Sequence, residues 1–411
     1  MRIIETADLE RAARLLEPPL RDQTRLRRRV AAIVSSVRRD GDGALDRFRS
    51  RFDGLAGPIE IDRDSIESLA HEAPAPVRRA IGTAARHIRE VAGAQRPCET
   101  RVRPVPGVVV FNRVVPLARV GCYVPGGRYP LPSSLLMTAI PARVAGVPEV
   151  VVACPRPTPV VMAAALEAGV SRVFAMGGAH AIAALAYGTA RVPRVDRIVG
   201  PGNRYVSTAK ALVAPDCGID FFAGPSELVV VSRAGRADWI AADLLAQAEH
   251  DTDARVIFIT TSRRLARLVA GEVARRVPDA GPAREALEHN GRIGLVRNLA
   301  EAAALVNRLA PEHVHTDEED VARRVLVAGT VFVGPWTVPA AGDYLTGSNH
   351  VLPTSGAARF RGALATSDFV RVVAEQRLTR HGLARLTPAA VTLARAEGLE
   401  QHARSFEVRM S

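Results

Sequence analysis

The sequence predicts an α/β protein made of two successive, internally duplicated doubly wound units, Rossmann-like in architecture but lacking GxGxxG, with a helical layer ahead and a helical arm behind. Three observations predict it. From Arg119 onward, short β-branched runs end in Gly or Pro and alternate with Ala-rich helical stretches, the spacing of right-handed crossovers on a parallel sheet. A second series of the same kind follows. Hydrophobic residues make up 47% of the chain but aromatics only 4%, so Val, Leu, Ile and Ala must fill the cores, as α/β layers require.

Residues 1–117 form an N-terminal segment expected to pack against the second unit. Its stretch RRRVAAIVSSVRRDGDGALDRFRSRFDG repeats apolar positions at three-to-four spacing, a helical signature with no chemistry attached. In the first unit, residues 118–231, strands fall at RVGCYVP, EVVVACP, RVFAMGG, DRIVGPG and SELVVVS. Helices fall between them at SLLMTAIPARVAG, VVMAAALEAG, HAIAALAYG and YVSTAKALV. The second unit, residues 232–364, reads as helix DWIAADLLAQAEH, strand ARVIFITT, helix RRLARLVAGEVARRV, strand RIGLV, helix LAEAAALVNRLA and strands HVHT and TVFVG. Residues 365–411 turn helical again, as an arm or cap.

At 411 residues the chain has room for more than one core. Its net charge of +12 raises the question of a nucleic-acid partner. The basic residues are scattered among Asp and Glu, with Lys210 the only lysine and no basic run interleaved with aromatics, so a nucleic-acid face is not expected. Cys98, Cys122, Cys154 and Cys217 make no CxxC pair and read as reduced core thiols of a cytoplasmic protein. The start MRIIETADLERAARLL is not a leader, and no apolar run reaches the roughly 18 to 20 residues a membrane span needs, so a soluble chain without membrane partners is expected.

Three strands of the first unit end in Gly-rich turns, YVPGG, AMGGAH and GPGNRY, where ligands of open α/β sheets bind. Backbone N–H groups at the helix starts there can hold a pyrophosphate or simply close tight turns. No Asp or Glu stands at a strand end about 20 residues beyond them, as the standard dinucleotide fingerprint requires. Four histidine contexts are densely polar: QAEHD at 247–251, PEHVH at 311–315, GDYLTGSNHVLPT at 342–354 and EGLEQHA at 397–403. Gln247 and His250, three apart at a helix end, share a face. Asp343 and His350 lie in a Gly-punctuated loop that packing alone does not call for. Each arrangement can be a cap or surface pair, and together they are compatible with a zinc site drawn from distant segments. His71, His87, His289 and His381 sit in charged helices and carry no expected role.

These segments, with PSSLLMTAIPARVAG, VDRIVGPGN and FFAGPSELVVV, occur in the order found in histidinol dehydrogenases, and from about residue 28 to its end the chain resembles that family. The resemblance implies a four-electron alcohol oxidation with two NAD reduced, on a homodimer with shared sites. It implies zinc, about one per subunit, on Gln247, His250, Asp343 and, from the partner's arm, His402. Glu312 and His313 match the catalytic pair, with His313 as proton acceptor and Glu312 activating water. Ser226, His350 and Glu397 match substrate-contacting positions, joined by Gln247, His250, His313, Asp343 and His402, while Tyr123, His180 and Asn203 fall where the family touches NAD. On this resemblance the first unit is the NAD side, and the second carries the catalytic and metal residues. Three positions depart from the family pattern: His180 for Gln, Pro339 for Glu, and Arg361 for a small hydroxyl residue. The last resembles relatives that oxidise other polar alcohols, such as a sulfopropanediol, which is the alternative to L-histidinol as substrate.

Overall fold

The computed structural model describes residues 1–5, 9–16, 24–126, 130–221 and 224–411. The short β-branched runs become strands because their side chains fit a pleated surface buried on both faces. In chain order they are β1 (Arg2–Glu5), β2 (Glu60–Ile61), β3 (Thr100–Val102), β4 (Val108–Pro116), β5 (Arg119–Tyr123), β6 (Glu149–Ala153), β7 (Arg172–Phe174), β8 (Arg197–Val199), β9 (Gly218–Ile219), β10 (Glu227–Val231), β11 (Arg255–Thr260), β12 (Arg292–Leu295), β13 (His313–Thr316), β14 (Thr330–Val333) and β15 (Val370–Leu378). Every strand expected in the two units is among them, but SELVVVS, expected to end the first unit, is β10 and lies at the centre of the second sheet, because it pairs with β11 and β13, so the boundary falls before residue 227 and not at 231.

The strands form a mixed α/β fold with parallel sheets. One sheet has the order β2-β7-β6-β5-β8-β9 and the other β1-β12-β11-β10-β13-β14. All pairings are parallel except β2 with β7. Leaving aside β2 and β1, contributed by the N-terminal segment, both sheets run third, second, first, fourth, fifth strand of their own series. The register of β10 with its two neighbours sets Glu227 opposite Arg255 and Leu228 opposite His313.

Ala-rich helices let backbones approach the sheets closely, as in Gly178–Tyr187, where residues 179–186 are all buried. Elsewhere the N-terminal segment behaves differently from expectation. Among the described residues, β1 and helix Leu9–Leu16 join the second sheet, with Ala12, Ala13 and Leu16 in a core shared with Val229 and Leu305. Helix Thr24–Phe48 packs Val30, Val34, Val37 and Leu45 against Leu185 and Val206 of the first unit, and helices Arg63–Glu72 and Ala75–Ala94 pack there too. An apolar stripe marks which helix face is covered, but not which sheet covers it.

Residues 100–116 and 370–378, expected to be helical or featureless, form a third, antiparallel sheet of order β15-β4-β3, with Val370 opposite Pro116 and Leu378 opposite Val108. The helices Arg380–Ala396 and Glu400–Glu407 of the arm follow it, and Val372, Val373, Leu393, Leu399 and Val408 along it are exposed. Cys98, expected in the core, is exposed; Cys122, Cys154 and Cys217 are buried and all four are unpaired. No helix among the described residues is long and apolar enough to cross a membrane.

Candidate active site

A cleft of about 1280 Å³ lies between the carboxyl edge of the first sheet and the amino edge of the second. From the first come Tyr123 at the end of β5, Pro155 after β6, His180 after β7, Gly200 to Asn203 after β8, and Asp220 and Phe221 after β9. From the second come Ser226 just before β10, Gln247 and His250 at the carboxyl end of helix Ala237–Ala248, Glu312 and His313 at the head of β13, Asp343 in helix Pro339–Tyr344, and His350 beyond it. Of the residues proposed from sequence, only Glu397 and His402 stand elsewhere, exposed on the arm. Gly127 of the YVPGG turn, and Phe222 and Ala223 of FFAGPSELVVV, lie outside the described residues.

The two walls have opposite polarity. Helices Gly178–Tyr187 and Arg204–Val213 begin at the first wall, so unsatisfied N–H groups and the positive end of the helix dipole favour an anion there. The second wall receives the carboxyl end of helix Ala237–Ala248 with Glu249, Asp251, Glu312 and Asp343, which favours a cation.

Glu312 and His313 are held by Glu227, a residue of the FFAGPSELVVV segment for which no role was expected from sequence. The backbone N–H of Glu227 donates to Glu312 Oε2 at 2.8 Å, and the N–H of Glu312 donates to Glu227 Oε2 at 3.3 Å. His313 Nδ1 donates to the Glu227 carbonyl at 3.0 Å, a bond that assigns the proton to Nδ1 and leaves Nε2 as the basic nitrogen. The His313 ring lies against Phe332 at 5.9 Å. Burial alone would lower the His313 pKa, but the charge and hydrogen bond of Glu312, with Asp343 nearby, outweigh it and raise it to about 9. Burial pushes Glu227 up to about 7, against the pull of Arg255, whose guanidinium donates to Oε1 at 2.8 Å.

His350 Nδ1 donates to the Asp343 carbonyl at 3.0 Å, which leaves Nε2 to accept from the Ser134 hydroxyl at 3.5 Å, and burial pushes its pKa down. The loop that carries it rests on His87, expected to have no role, whose Nδ1 donates to the Leu345 carbonyl at 2.7 Å. A Cβ at Gly347, where φ is +81°, would lie 2.5 Å from the His87 carbonyl, so only glycine permits that approach.

At the first wall, the Tyr123 hydroxyl accepts from the Gly178 N–H at 3.0 Å, and burial pushes the phenol up to about 12. Asn203 Oδ1 caps its helix by accepting from the N–H groups of Tyr205 and Val206. Asp53, from the N-terminal segment, adds a carboxylate to this wall, and Asp220, directly after β9 and about 20 residues beyond the start of the GPGNRY turn, is a strand-end acid that was not expected from sequence. Its Oδ2 accepts from the Gly177 N–H and from His180 Nε2, both at 2.9 Å, and the His180 ring sits beside Phe48 and Phe52. No local signal marks Asp53, which is brought in from more than 120 residues away.

The family model for histidinol dehydrogenase matches residues 17–410. The chain belongs to the histidinol dehydrogenase family. It is 45% identical to the histidinol dehydrogenase of Methylococcus capsulatus, over 97% of this chain and 94% of the relative, and 46% identical to that of Thermus thermophilus, over 92% and 93%. Its fold matches the crystal structure of histidinol dehydrogenase from Elizabethkingia anophelis with a TM-score of 0.94, at 29% identity, covering 100% of this chain and 98% of that one. The chain is thus a member of an oxidoreductase family.

Within that family the three departures have distinct places. His180 is engaged by Asp53 through the 2.9 Å contact. Pro339 opens helix Pro339–Tyr344 at its first turn, where a missing N–H costs nothing. Arg361 is not among the residues that line the cleft; it lies 3.6 Å from Asp368, in a small adjoining pocket with Phe360, Ala357 and the cleft residues Asp220 and Phe221. Among the described residues no three His, Cys, Asp or Glu side chains gather to hold a metal. Gln247, however, has a buried amide nitrogen with no hydrogen-bond partner at the wall it shares with His250 and Asp343.

Proposed function

We propose that the chain oxidises L-histidinol through histidinal to L-histidine, the last step of histidine biosynthesis, passing two hydrides in succession to NAD. One observation carries this reading: His313, with Nδ1 committed to Glu227, opens onto a cleft whose opposite wall offers helix amino ends to a pyrophosphate. His313 Nε2, once the ring is neutral, takes the alcohol proton as hydride leaves the carbon, and because, against burial, Glu312 and Asp343 raise its pKa to about 9, the oxidation should quicken toward alkaline pH. Glu312, one oxygen tied to the Glu227 N–H, takes a proton from the water that adds to the aldehyde. Ser226 and His350 flank the same wall and orient the substrate. Tyr123, His180 and Asn203 hold the cofactor at the other wall.

Zinc fits the residues present. Amide, imidazole and carboxylate are donors it takes, and the unpartnered Gln247 amide, rotated about its last bond, turns an oxygen toward the cleft beside His250 and Asp343. When bound, the ion would act as a Lewis acid that fixes the substrate's polar groups. His402 and Glu397, exposed here, would complete the cleft of a partner subunit in a homodimer, Glu397 meeting the substrate's ammonium. The exposed apolar residues of the arm support that reading. We also take the two parallel sheets as duplicated units, supported by their common strand order, with the boundary ahead of β10 instead of at residue 231, and the cytoplasm as the compartment, supported by four unpaired cysteines. The test is NADH absorbance with L-histidinol: two NADH per substrate and L-histidine as product are expected. An absence of NADH with L-histidinol, alongside turnover of an anionic polyol, would sink the proposal.

A further inference from the structure

Lys210 is the only lysine among 55 basic side chains. Wherever else the chain needs a cation it uses arginine, including in its interior. Arg49 is 2% exposed, and its flat guanidinium donates to the carbonyls of Ala175, Gly57 and Pro58 at 2.9, 3.2 and 3.2 Å. Burial by itself therefore does not select lysine here.

Lys210 and Asp220 are each 1% exposed and form an ion pair at the first wall of the cleft, with Asp220 in its lining and Lys210 behind it. Both grip one residue. Lys210 Nζ donates to the Gly200 carbonyl at 2.9 Å, and Asp220 Oδ2 accepts from the Gly200 N–H at 2.7 Å, while Asp220 Oδ1 also takes the Phe221 N–H at 2.7 Å. Gly200 has φ of +117°, and a Cβ there would lie 2.2 Å from the Tyr123 carbonyl, so the turn is pressed onto the backbone of Tyr123. Three residues later Asn203 caps the helix that carries Lys210 back to Gly200. From that helix the compact ammonium meets the Asp220 carboxylate and the Gly200 carbonyl at one point, where a longer, planar guanidinium would have to reach them with different geometry.

Buried ion pairs are weak sources of stability, since apolar replacements are often neutral, so the pair's retention asks for another reason. We propose that Lys210 and Asp220 are a positioning pair for the dinucleotide: they hold the Gly200 turn, and with it Tyr123 and Asn203, in the shape that receives the cofactor. The inference rests on NAD occupying the first wall.

The experiment uses the intact protein and NADH as probe. Lys210→Met combined with Asp220→Asn removes both charges with little change of volume, and Lys210→Arg keeps charge but changes shape. For both, NADH fluorescence without alcohol should show affinity weakened about tenfold or more, roughly 1.4 kcal/mol. The melting temperature of the double variant should fall, because the Gly200 carbonyl loses its donor and one amide cannot accept from both the Gly200 and Phe221 N–H groups, while in the folded protein KM for NAD should rise more than KM for L-histidinol. Wild-type NADH affinity in the folded double variant, or in Lys210→Arg should the double variant not fold, overturns the inference. A parent protein that binds no NADH overturns the NAD reading instead.

Discussion

The two parallel sheets share a strand order and use opposite ends. In the first, the cleft meets the carboxyl ends of β5 to β9, where glycine turns and helix starts collect N–H donors, as open α/β sheets generally do. In the second, the cleft meets the amino ends of β10 and β13, through Ser226 and the Glu312–His313 pair. The helix after β10 runs back along the sheet and so delivers its carboxyl end, with Gln247 and His250, to the same edge. One wall is thereby suited to anions and the other to cations and proton transfer. Strand order alone does not decide which end of a sheet works; the way two sheets face each other does.

If the walls divide cofactor binding from chemistry, damage to the second wall should spare NADH binding. His313→Asn is expected to cut alcohol oxidation by about 10²- to 10⁴-fold while leaving NADH affinity close to that of the parent. Glu312→Gln should let aldehyde form but slow acid formation, so NADH per substrate falls from two toward one in single-turnover measurements. Equal losses in both steps for both variants would contradict the division.

A second, intermediate effect concerns the exposed arm. Subunits carrying His402→Ala and subunits carrying His250→Ala should each be inactive and low in zinc by metal analysis. Mixed dimers should recover up to about half of parental activity, because one of their two clefts is intact. Verified mixed dimers without activity would show that the arm does not complete a neighbour's site.

The smallest expected effect is on stability. In chelator-treated protein His313 should titrate near 9, well above an ordinary imidazole, because Glu312 outweighs burial. A raised folded pKa means that the pair's stabilisation is full below about 6.5 and is lost as pH rises through about 9. The melting-temperature difference between the parent and Glu312→Gln should therefore shrink across that window. A difference constant from pH 6 to 10 would show that the two groups do not interact.

The sequence by itself determined the elements of the two units, because β-branched runs and Ala-rich stretches carry their periodicity locally. It also pointed to ten residues that meet in one cleft: Gln247, His250, Glu312, His313, Asp343 and His350 sit in polar motifs out of place in a packed core, while Tyr123, His180, Asn203 and Ser226 came only from the family resemblance. Tertiary structure alone decided the rest. The ribbon of β4 and β15 joins segments more than 250 residues apart, and Asp53 reaches Gly177 across more than 120. Glu227 became visible as the clamp of Glu312 and His313 only when β10 and β13 paired in register. Local periodicity says that a strand or helix forms and which face is apolar. It does not encode the partner across the chain, and the lock on the base, the acid facing His180 and the working end of the second sheet all depend on that partner.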